Sequence, residues 1–114
     1  MKYIIAIVRP EKVEAVQEAL SAKDVQLMTV SDVRGCGTQR GYTESYRGAK
    51  NVIRLLSKVK FEIAVNDDFV QPTVDAILKA AKSDGEKIGD GKIFVLDVSE
   101  AVRIRTGETG AAAL

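Results

Sequence analysis

The chain has 114 residues, 46% hydrophobic and 29% charged, which suits a single domain over residues 1–114 and excludes a multidomain enzyme. Seventeen Lys and Arg against sixteen Asp and Glu leave a formal charge of +1, so bulk charge gives no reason to expect a nucleic-acid partner. One cysteine and no histidine exclude an internal disulfide framework, a multi-cysteine zinc site and the commonest general base. No apolar run approaches the roughly 20 residues of a membrane span, and we expect a soluble, cytoplasmic protein.

The first third of the chain predicts a strand, a helix and a second strand. Residues 3–8 form a β-branched apolar run, typical of a buried strand. Pro10 suits a helical first turn, and from Val13 apolar residues recur at i, i+3 and i+7 among charged ones, which indicates an amphipathic helix. Residues 27–33 return to strand composition.

The rest of the chain predicts two more strands and a second helix. From Val59 to Val65 every second residue is a large apolar one, which indicates a strand with one buried face. Asp67-Asp68 is a plausible helix cap, and Pro72, late for a first turn, predicts a distorted helix start. Residues 93–98 predict a fourth strand, and Val102 to Arg105 a short fifth.

The order βαββαβ predicts an α+β ferredoxin-like sandwich, in which both helices cover one face of an antiparallel sheet. The first strand is nevertheless apolar on both faces, because Tyr3, Ile5 and Ile7 alternate with Ile4, Ala6 and Val8. The economical cover for the second face is another copy of the same chain.

The connection between the second and third strands, about 34–56, is unusually long. Loops beyond about 12–15 residues are usually functional or disordered. Its base, residues 35–41, carries three glycines, whose backbone N–H groups can approach an anion closely. Glycine clusters also simply permit turns, so this stretch alone does not predict a site.

A second glycine-bearing stretch, residues 87–92, opens the fourth strand, and Arg103 and Arg105 follow it. Arginines at i and i+2 on a strand point the same way. Glycine backbones, a lysine and two arginines that converge at strand ends would form a receptor for a polyphosphate. The set contains no obvious nucleophile, which indicates a site that holds a ligand more than one that transforms it.

These stretches resemble the PII signal-transduction family, the trimeric nitrogen-regulatory proteins, over nearly the whole chain. Five blocks carry the resemblance: Gly35-x-Gly37-x-Gln39-x-Gly41, Thr43-Glu44-x-Tyr46-Arg47-Gly48-Ala49, Lys58-Val59-Lys60-x-Glu62, Lys87-Ile88-Gly89-Asp90-Gly91-Lys92-Ile93-Phe94-Val95 and Arg103-Ile104-Arg105-Thr106-Gly107-Glu108. The resemblance implies a homotrimer that binds ATP or ADP, and 2-oxoglutarate together with MgATP, in clefts between neighbouring subunits. It also implies a non-enzymatic regulator whose long loop, the T-loop at about 36–54, engages transporters or enzymes.

Carried over position by position, the resemblance assigns three sets of residues. The nucleotide set is Ile7, Gly35, Cys36, Gly37, Thr38, Gln39, Glu62, Gly89, Asp90, Gly91, Lys92, Arg103 and Arg105. The 2-oxoglutarate set is Gln39, Gly41, Lys58 and Gly89, and Gln39 would also reach magnesium. Tyr46 and Arg47 would contact the protein target, an ammonium channel or a nitrogen-metabolism enzyme, and a channel would bring the protein to the membrane. The loop before the fourth strand, about 82–91, and a C-terminal segment, about 103–114, complete the predicted domain.

Two residues depart from the family pattern, and the first of them keeps an alternative open. Thr38 stands where the family usually has a basic residue, so one phosphate contact is lost. Cys36 replaces a bulkier residue and is interpreted as a small filler near the ribose. The alternative is a divergent PII-like nucleotide sensor with another effector and target, although Gln39 and Lys58 favour the first interpretation. A third hypothesis, an acylphosphatase-like enzyme, would need a glycine-rich phosphate loop before Arg9, and the sequence has none there.

Overall fold

A computed structural model of the chain describes residues 1–36, 54–85 and 89–114. Within those ranges its strands and α-helices are β1 (Lys2–Val8), α1 (Val13–Ser21), β2 (Thr29–Gly35), β3 (Leu56–Val65), α2 (Val70–Ala81) and β4 (Gly91–Asp97). Short 3-10 turns lie at Pro10–Lys12, Asp67–Phe69 and Gly110–Ala113. The four main predicted strands and both predicted helices are present, with β2 beginning and ending two residues later than expected.

The four strands form one antiparallel sheet in the order β2-β3-β1-β4. β1 therefore lies in the middle, paired with β3 on one side and β4 on the other. Together with the chain order of strands and helices, this is the ferredoxin-like arrangement. The predicted α+β fold class is confirmed.

One face of the sheet carries the core. The alternating residues of β3 face inward and are buried, as the sequence pattern predicts. The core draws on β1, β3 and both helices: Ile4, Ala6, Val8, Val16, Leu20, Val59, Phe61, Ile63, Val65, Ala76, Ile77 and Ala81. Since residues of α1 and α2 share this one cluster, both helices lie on the same face. Full burial of a side chain such as Phe61 or Ile77 contributes about 1.5–3 kcal/mol.

The opposite face of the sheet is apolar and lies open. Tyr3, Ile5 and Ile7 of β1 point to this face and are only partly buried. On the neighbouring edge strand β4, Phe94 and Leu96 remain 48% and 45% exposed. Large apolar side chains in one continuous patch indicate a surface that another molecule covers.

The predicted fifth strand is wrong. Val102 forms an isolated antiparallel bridge with Thr109, and the residues between them make a tight turn. The turn is closed by hydrogen bonds from the Arg103 N–H to the Glu108 carbonyl (2.9 Å) and from the Gly107 N–H to the Arg103 carbonyl (2.8 Å). Arg103 and Arg105 therefore lie in a turn, and the expectation that they share one face of a strand fails with it.

The start of α2 is distorted, as Pro72 predicts. A 3-10 turn over Asp67–Phe69 precedes the α-helix, so Pro72 is the third α-helical residue, where a backbone N–H has no intrahelical acceptor to lose. The predicted cap by the aspartates is wrong, because neither helical start in this described segment has a side-chain cap. Asp67 Oδ1 instead accepts a hydrogen bond of 2.8 Å from the Met1 ammonium group.

Candidate functional site

The end of β2 lies next to a lysine of β3. Gly35 pairs with Leu56 and Val33 pairs with Lys58, and the alternation of β3 places the Lys58 side chain on the open face of the sheet. A Cβ atom placed on Gly35 would lie 4.0 Å from Lys58 Cγ, an ordinary contact distance. Lys58 therefore lies directly beside the end of β2.

Lys58 also links the loop base to the turn that precedes β4. Its Nζ atom donates a hydrogen bond of 2.9 Å to the carbonyl oxygen of Gly89. These residues are 31 positions apart in the chain, so the folded sheet creates their contact. A hydrogen bond with one charged partner contributes about 1.5–3 kcal/mol when it is well shielded from water.

The turn into β4 depends on glycine. Gly89 and Gly91 have φ angles of +96° and +112°, in the region that residues with a side chain rarely adopt. Gly91 pairs with Val8, and a Cβ atom at Gly91 would lie 1.7 Å from the carbonyl oxygen of Ile7. The backbone of β4 thus begins in close contact with β1, and the next residue, Lys92, pairs with Ile7.

The residue between the two glycines is held by its side chain. Asp90 Oδ1 accepts a hydrogen bond of 3.3 Å from Arg9 Nε, and Asp90 Oδ2 accepts one of 3.0 Å from the backbone N–H of Ser83. Hydrogen bonds from Ser83 and the Arg9 guanidinium lower the pKa of the Asp90 carboxyl below its usual value. The charged form of Asp90 is therefore the one that this part of the structure stabilises.

A cavity of about 660 Å³ opens between α2 and the start of β4. Its polar lining comes from Lys82, Asp90 and Lys92, and the rest is mainly apolar, including Ile7 of β1 and Leu78 of α2. This volume falls within the range of small-molecule sites.

A second hollow, of about 400 Å³, lies farther along the sheet. Tyr3, Glu62, Arg103 and the C-terminal Leu114 line it. The Tyr3 hydroxyl donates a hydrogen bond to Glu62 Oε2, and Lys60 Nζ lies 3.3 Å from Glu62 Oε1. The Tyr3 hydrogen bond, followed by that of Lys60, lowers the pKa of Glu62.

Arg103 is fixed within its own turn. Its Nη1 atom donates to Glu108 Oε1 at 3.2 Å, and its Nη2 atom donates to the Leu114 carbonyl at 3.4 Å. The Thr106 hydroxyl donates to the same Glu108 oxygen at 2.9 Å. Both partners of the ion pair are nearly half exposed, so the pair orients Arg103 more than it stabilises the fold.

The structure thus divides the predicted site residues into two groups. The first group, at the end of the sheet where β1 ends and β4 begins, contains Ile7, Gly35, Lys58, Gly89, Asp90, Gly91 and Lys92. Glu62 and Arg103 line the second hollow, and Arg105 is exposed in the turn beside it. The exposed Cys36 follows β2. Six predicted residues lie outside the described ranges: Gly37, Thr38, Gln39, Gly41, Tyr46 and Arg47.

Sequence reasoning missed several residues of this region. Arg9 and Ser83 hold Asp90 from positions 81 and 7 residues away, and no short motif signals such a pairing. The sequence predicts Tyr3 as a strand residue with no role in a site, although its hydroxyl bonds to Glu62. No site role is predicted for residues 27–29 either, and they line the second hollow. The alternation in β1, which places Tyr3 on the open face of the sheet, is the sequence signal that could have identified Tyr3 as a site residue.

The chemistry of the first group is that of an anion site. Lys58 and Lys92 supply positive charge, and the glycine turn between them exposes backbone groups. Within the described ranges, no group of three histidine, cysteine, aspartate or glutamate side chains is arranged to hold a metal ion. Of the helices in those ranges, none has the length and hydropathy to span a membrane.

Fold and site together describe a ferredoxin-like α+β protein with a candidate anion site of lysines and glycines beside the end of β2. The family model described as nitrogen regulatory protein P-II matches residues 1–108, and the chain belongs to this family. The resemblance noted in the sequence is thereby confirmed.

Known relatives match along nearly the full chain. Nitrogen regulatory protein GlnK1 of Methanosarcina mazei is 49% identical over 114 residues, which cover 100% of this chain and 97% of that protein. Nitrogen regulatory protein P-II 2 of Methanothermobacter thermautotrophicus is 56% identical over 110 residues, 96% of this chain and 94% of its own. Nitrogen regulatory protein P-II 1 of Escherichia coli is 51% identical over 114 residues, all of both chains.

Proposed function

We propose that this protein is a non-enzymatic regulator that binds ATP or ADP and 2-oxoglutarate, and that it controls nitrogen assimilation or ammonium transport through its T-loop. Family membership supports a role in nitrogen signalling, and the relatives are named as regulatory proteins. The observation that carries the proposal is the Lys58–Gly89 hydrogen bond, because it joins the base of the T-loop to the proposed nucleotide turn.

The nucleotide would bind with its phosphates at the first group of residues. Lys92 pairs with Ile7 and both line the cavity, where the Lys92 ammonium group can pair with phosphate oxygens. The left-handed glycines at 89 and 91 allow the backbone to approach those oxygens without a side chain in the way. Thr38, outside the described residues, removes one positive charge that the family usually supplies.

A site between neighbouring copies explains why Arg103 and Lys92 line separate hollows. Arg103 shares its hollow with Tyr3, whereas Lys92 pairs with Ile7, four residues and about 13 Å farther along β1. Two groups that are separated in one chain can face the same ligand when a second copy packs beside the first. The open apolar face with Ile5, Phe94 and Leu96 supports such packing, and we propose a homotrimer.

Lys58 is the proposed contact for 2-oxoglutarate. Its ammonium group has three donors, one of which is used by the Gly89 carbonyl, so a carboxylate can be held by the others. A dicarboxylate near a triphosphate is repelled unless a divalent cation lies between them, and Mg²⁺ bound with ATP supplies that charge. Gln39, which lies outside the described residues, is the residue of this chain that we propose to contact the Mg²⁺ ion.

The T-loop is the proposed contact surface for the protein target, with Tyr46 and Arg47 as its expected contacts. An ammonium channel or an enzyme of nitrogen metabolism is the proposed target. The protein would then be cytoplasmic and would reach the membrane surface only by docking on a transporter.

Isothermal titration calorimetry tests the proposal directly. We expect ATP and ADP to bind, and 2-oxoglutarate to bind only to the MgATP form. Lys58→Ala should weaken 2-oxoglutarate binding about 10- to 100-fold, because one charged hydrogen-bond donor is removed, and should weaken ATP binding much less. Lys79→Ala, which removes an exposed lysine of α2, is the matched control and should change neither affinity.

Two outcomes would contradict parts of the proposal. If 2-oxoglutarate bound equally well with ADP or without nucleotide, the proposed coupling through MgATP would be wrong. If ATP bound but 2-oxoglutarate never did, the divergent sensor with another effector would replace the present proposal.

A further inference from the structure

Three distant segments of the chain meet at one carboxylate. Arg9 follows the end of β1, Ser83 follows the end of α2, and Asp90 directly precedes β4. The carboxylate of Asp90 accepts from Arg9 Nε at 3.3 Å and from the Ser83 N–H at 3.0 Å, one bond on each oxygen. We call these three residues the Asp90 clasp.

The clasp is more sheltered than an ordinary surface ion pair. The Arg9 and Asp90 side chains are 19% and 29% exposed, and Ser83 is buried. Exposed pairs contribute at most about 1 kcal/mol, but a partly buried carboxylate with two donors is held in one geometry. Arg9 also lies within 4.0 Å of Glu11, which limits its own freedom.

The position of Asp90 makes a direct role in binding an anion unfavourable. Its carboxylate is negatively charged and lies between Gly89 and Gly91, in the turn proposed to meet phosphates. A free carboxylate there would repel a polyphosphate. Pairing with Arg9 offsets this charge, and the Ser83 N–H holds the second carboxylate oxygen.

We propose that Asp90 is a positioning residue, which through Arg9 and Ser83 presets the turn 89–92 for an anionic ligand. The proposal rests on the proposed nucleotide site and adds a role for residues that do not touch the ligand themselves. With the turn fastened, Lys92 and the glycine backbone are ordered before the ligand arrives, so less conformational entropy is lost on binding.

Two measurements on matched variants test the clasp. Asp90→Asn and Arg9→Gln each remove the ion pair, Arg9→Lys keeps a cation there, and Asp97→Asn removes the same charge at the far end of β4, where Asp97 pairs with Lys2. ATP affinity is measured by calorimetry for each. Amide hydrogen exchange of Gly89, Gly91 and the core residue Phe61 is measured by NMR on the nucleotide-free protein.

We expect Asp90→Asn and Arg9→Gln each to weaken ATP binding about tenfold, and the double variant to lose no more than either single one. Arg9→Lys should recover most of the affinity, and Asp97→Asn should leave it unchanged. In the ligand-free protein, Gly89 and Gly91 should exchange at least about tenfold faster in the clasp variants, while Phe61 stays protected.

Several results would overturn the inference. Unchanged ATP affinity in both single variants would remove the link to binding, and an equal loss in Asp97→Asn would show an effect of overall charge. Faster exchange at Phe61 to the same extent as at Gly89 would show general destabilisation. If the unaltered protein bound no ATP, the proposed function and the ligand part of this inference would fail together, whereas the exchange data would still decide whether the clasp orders the turn.

Discussion

Asp24 is a single residue whose backbone conformation costs conformational free energy. It is the one non-glycine residue in the described ranges with a left-handed backbone, at φ +60°. It ends α1 in a Schellman arrangement, with the Val25 N–H bonded to the Leu20 carbonyl (2.9 Å) and the Asp24 N–H to the Ser21 carbonyl (3.0 Å). Glycine is the preferred residue at such a position.

Replacement of Asp24 by glycine should stabilise the protein by about 0.5–1 kcal/mol, because it relieves the left-handed strain and removes an acidic charge from a helix C-terminus. Urea unfolding measures the change. Asp24→Asn is the control, since it removes the charge and tolerates the same backbone, and it should give a smaller gain. Loss of stability in Asp24→Gly would mean that the aspartate side chain makes a contribution that its geometry does not reveal.

Individual site residues could be predicted from the sequence only where a motif carried them. Lys58, Gly89 and Lys92 were assigned by family resemblance, and the structure places them together at one end of the sheet. Arg9 was not assigned, because its partner Asp90 lies 81 residues away and only the antiparallel pairing of β1 with β4 brings them together. Long-range pairings of this kind depend on strand register, which hydrophobic alternation indicates only within each strand.

Among the elements, the strands with long periodic patterns were predicted correctly, whereas the short fifth strand that was predicted does not form. The alternation in β3 covers seven residues and identifies both its strand character and its buried face. Val102 to Arg105 contains only two apolar–polar alternations, which is a weak strand signal. Gly107, with φ of +74°, instead allows a turn that returns the chain to the bridge between Val102 and Thr109. Asp67, the predicted cap of α2, instead accepts a hydrogen bond from the N-terminal ammonium group, and no sequence pattern signals that contact.

The entry of β4 beside β1 gives an element-scale prediction. Gly91→Ala should destabilise the protein by several kcal/mol, because a Cβ atom 1.7 Å from the Ile7 carbonyl oxygen forces the two strands apart. Gly85→Ala is the matched control, since Gly85 also has a positive φ, of +76°, but nothing described lies within 4 Å of its Cβ position. It should cost only about 1 kcal/mol.

Chemical denaturation of both variants separates backbone strain from the steric clash. Equal destabilisation by the two substitutions would show that β4 can shift without cost and that the close contact of Gly91 with Ile7 does not set the strand position. The Gly91 variant should also lose ATP binding if the turn at the start of β4 forms the proposed nucleotide site.

At the scale of the whole molecule, the sheet has one face covered by the two helices and one apolar face that lies open. The sequence predicted this from β1 alone, since its alternate residues are apolar in both directions. The structure adds that the helices share one face and that the apolar patch extends across β4 through Phe94 and Leu96. The proposed trimer would place this patch between copies, and the separation of the Lys92 and Arg103 hollows constrains how those copies would be arranged.

The assembly itself is the last prediction. Light scattering at micromolar concentration should give three times the 12.3 kDa mass of the chain. Leu96→Glu should lower that mass, because burial of an unpaired carboxylate costs several kcal/mol, and ATP binding should weaken with it if the site needs two copies. Ala15→Glu places the same charge at an exposed position of α1, on the helix side, and should stay trimeric. A monomeric Leu96→Glu variant that binds ATP with full affinity would show that the site is complete within one chain, and a monomeric unaltered protein would exclude the trimer.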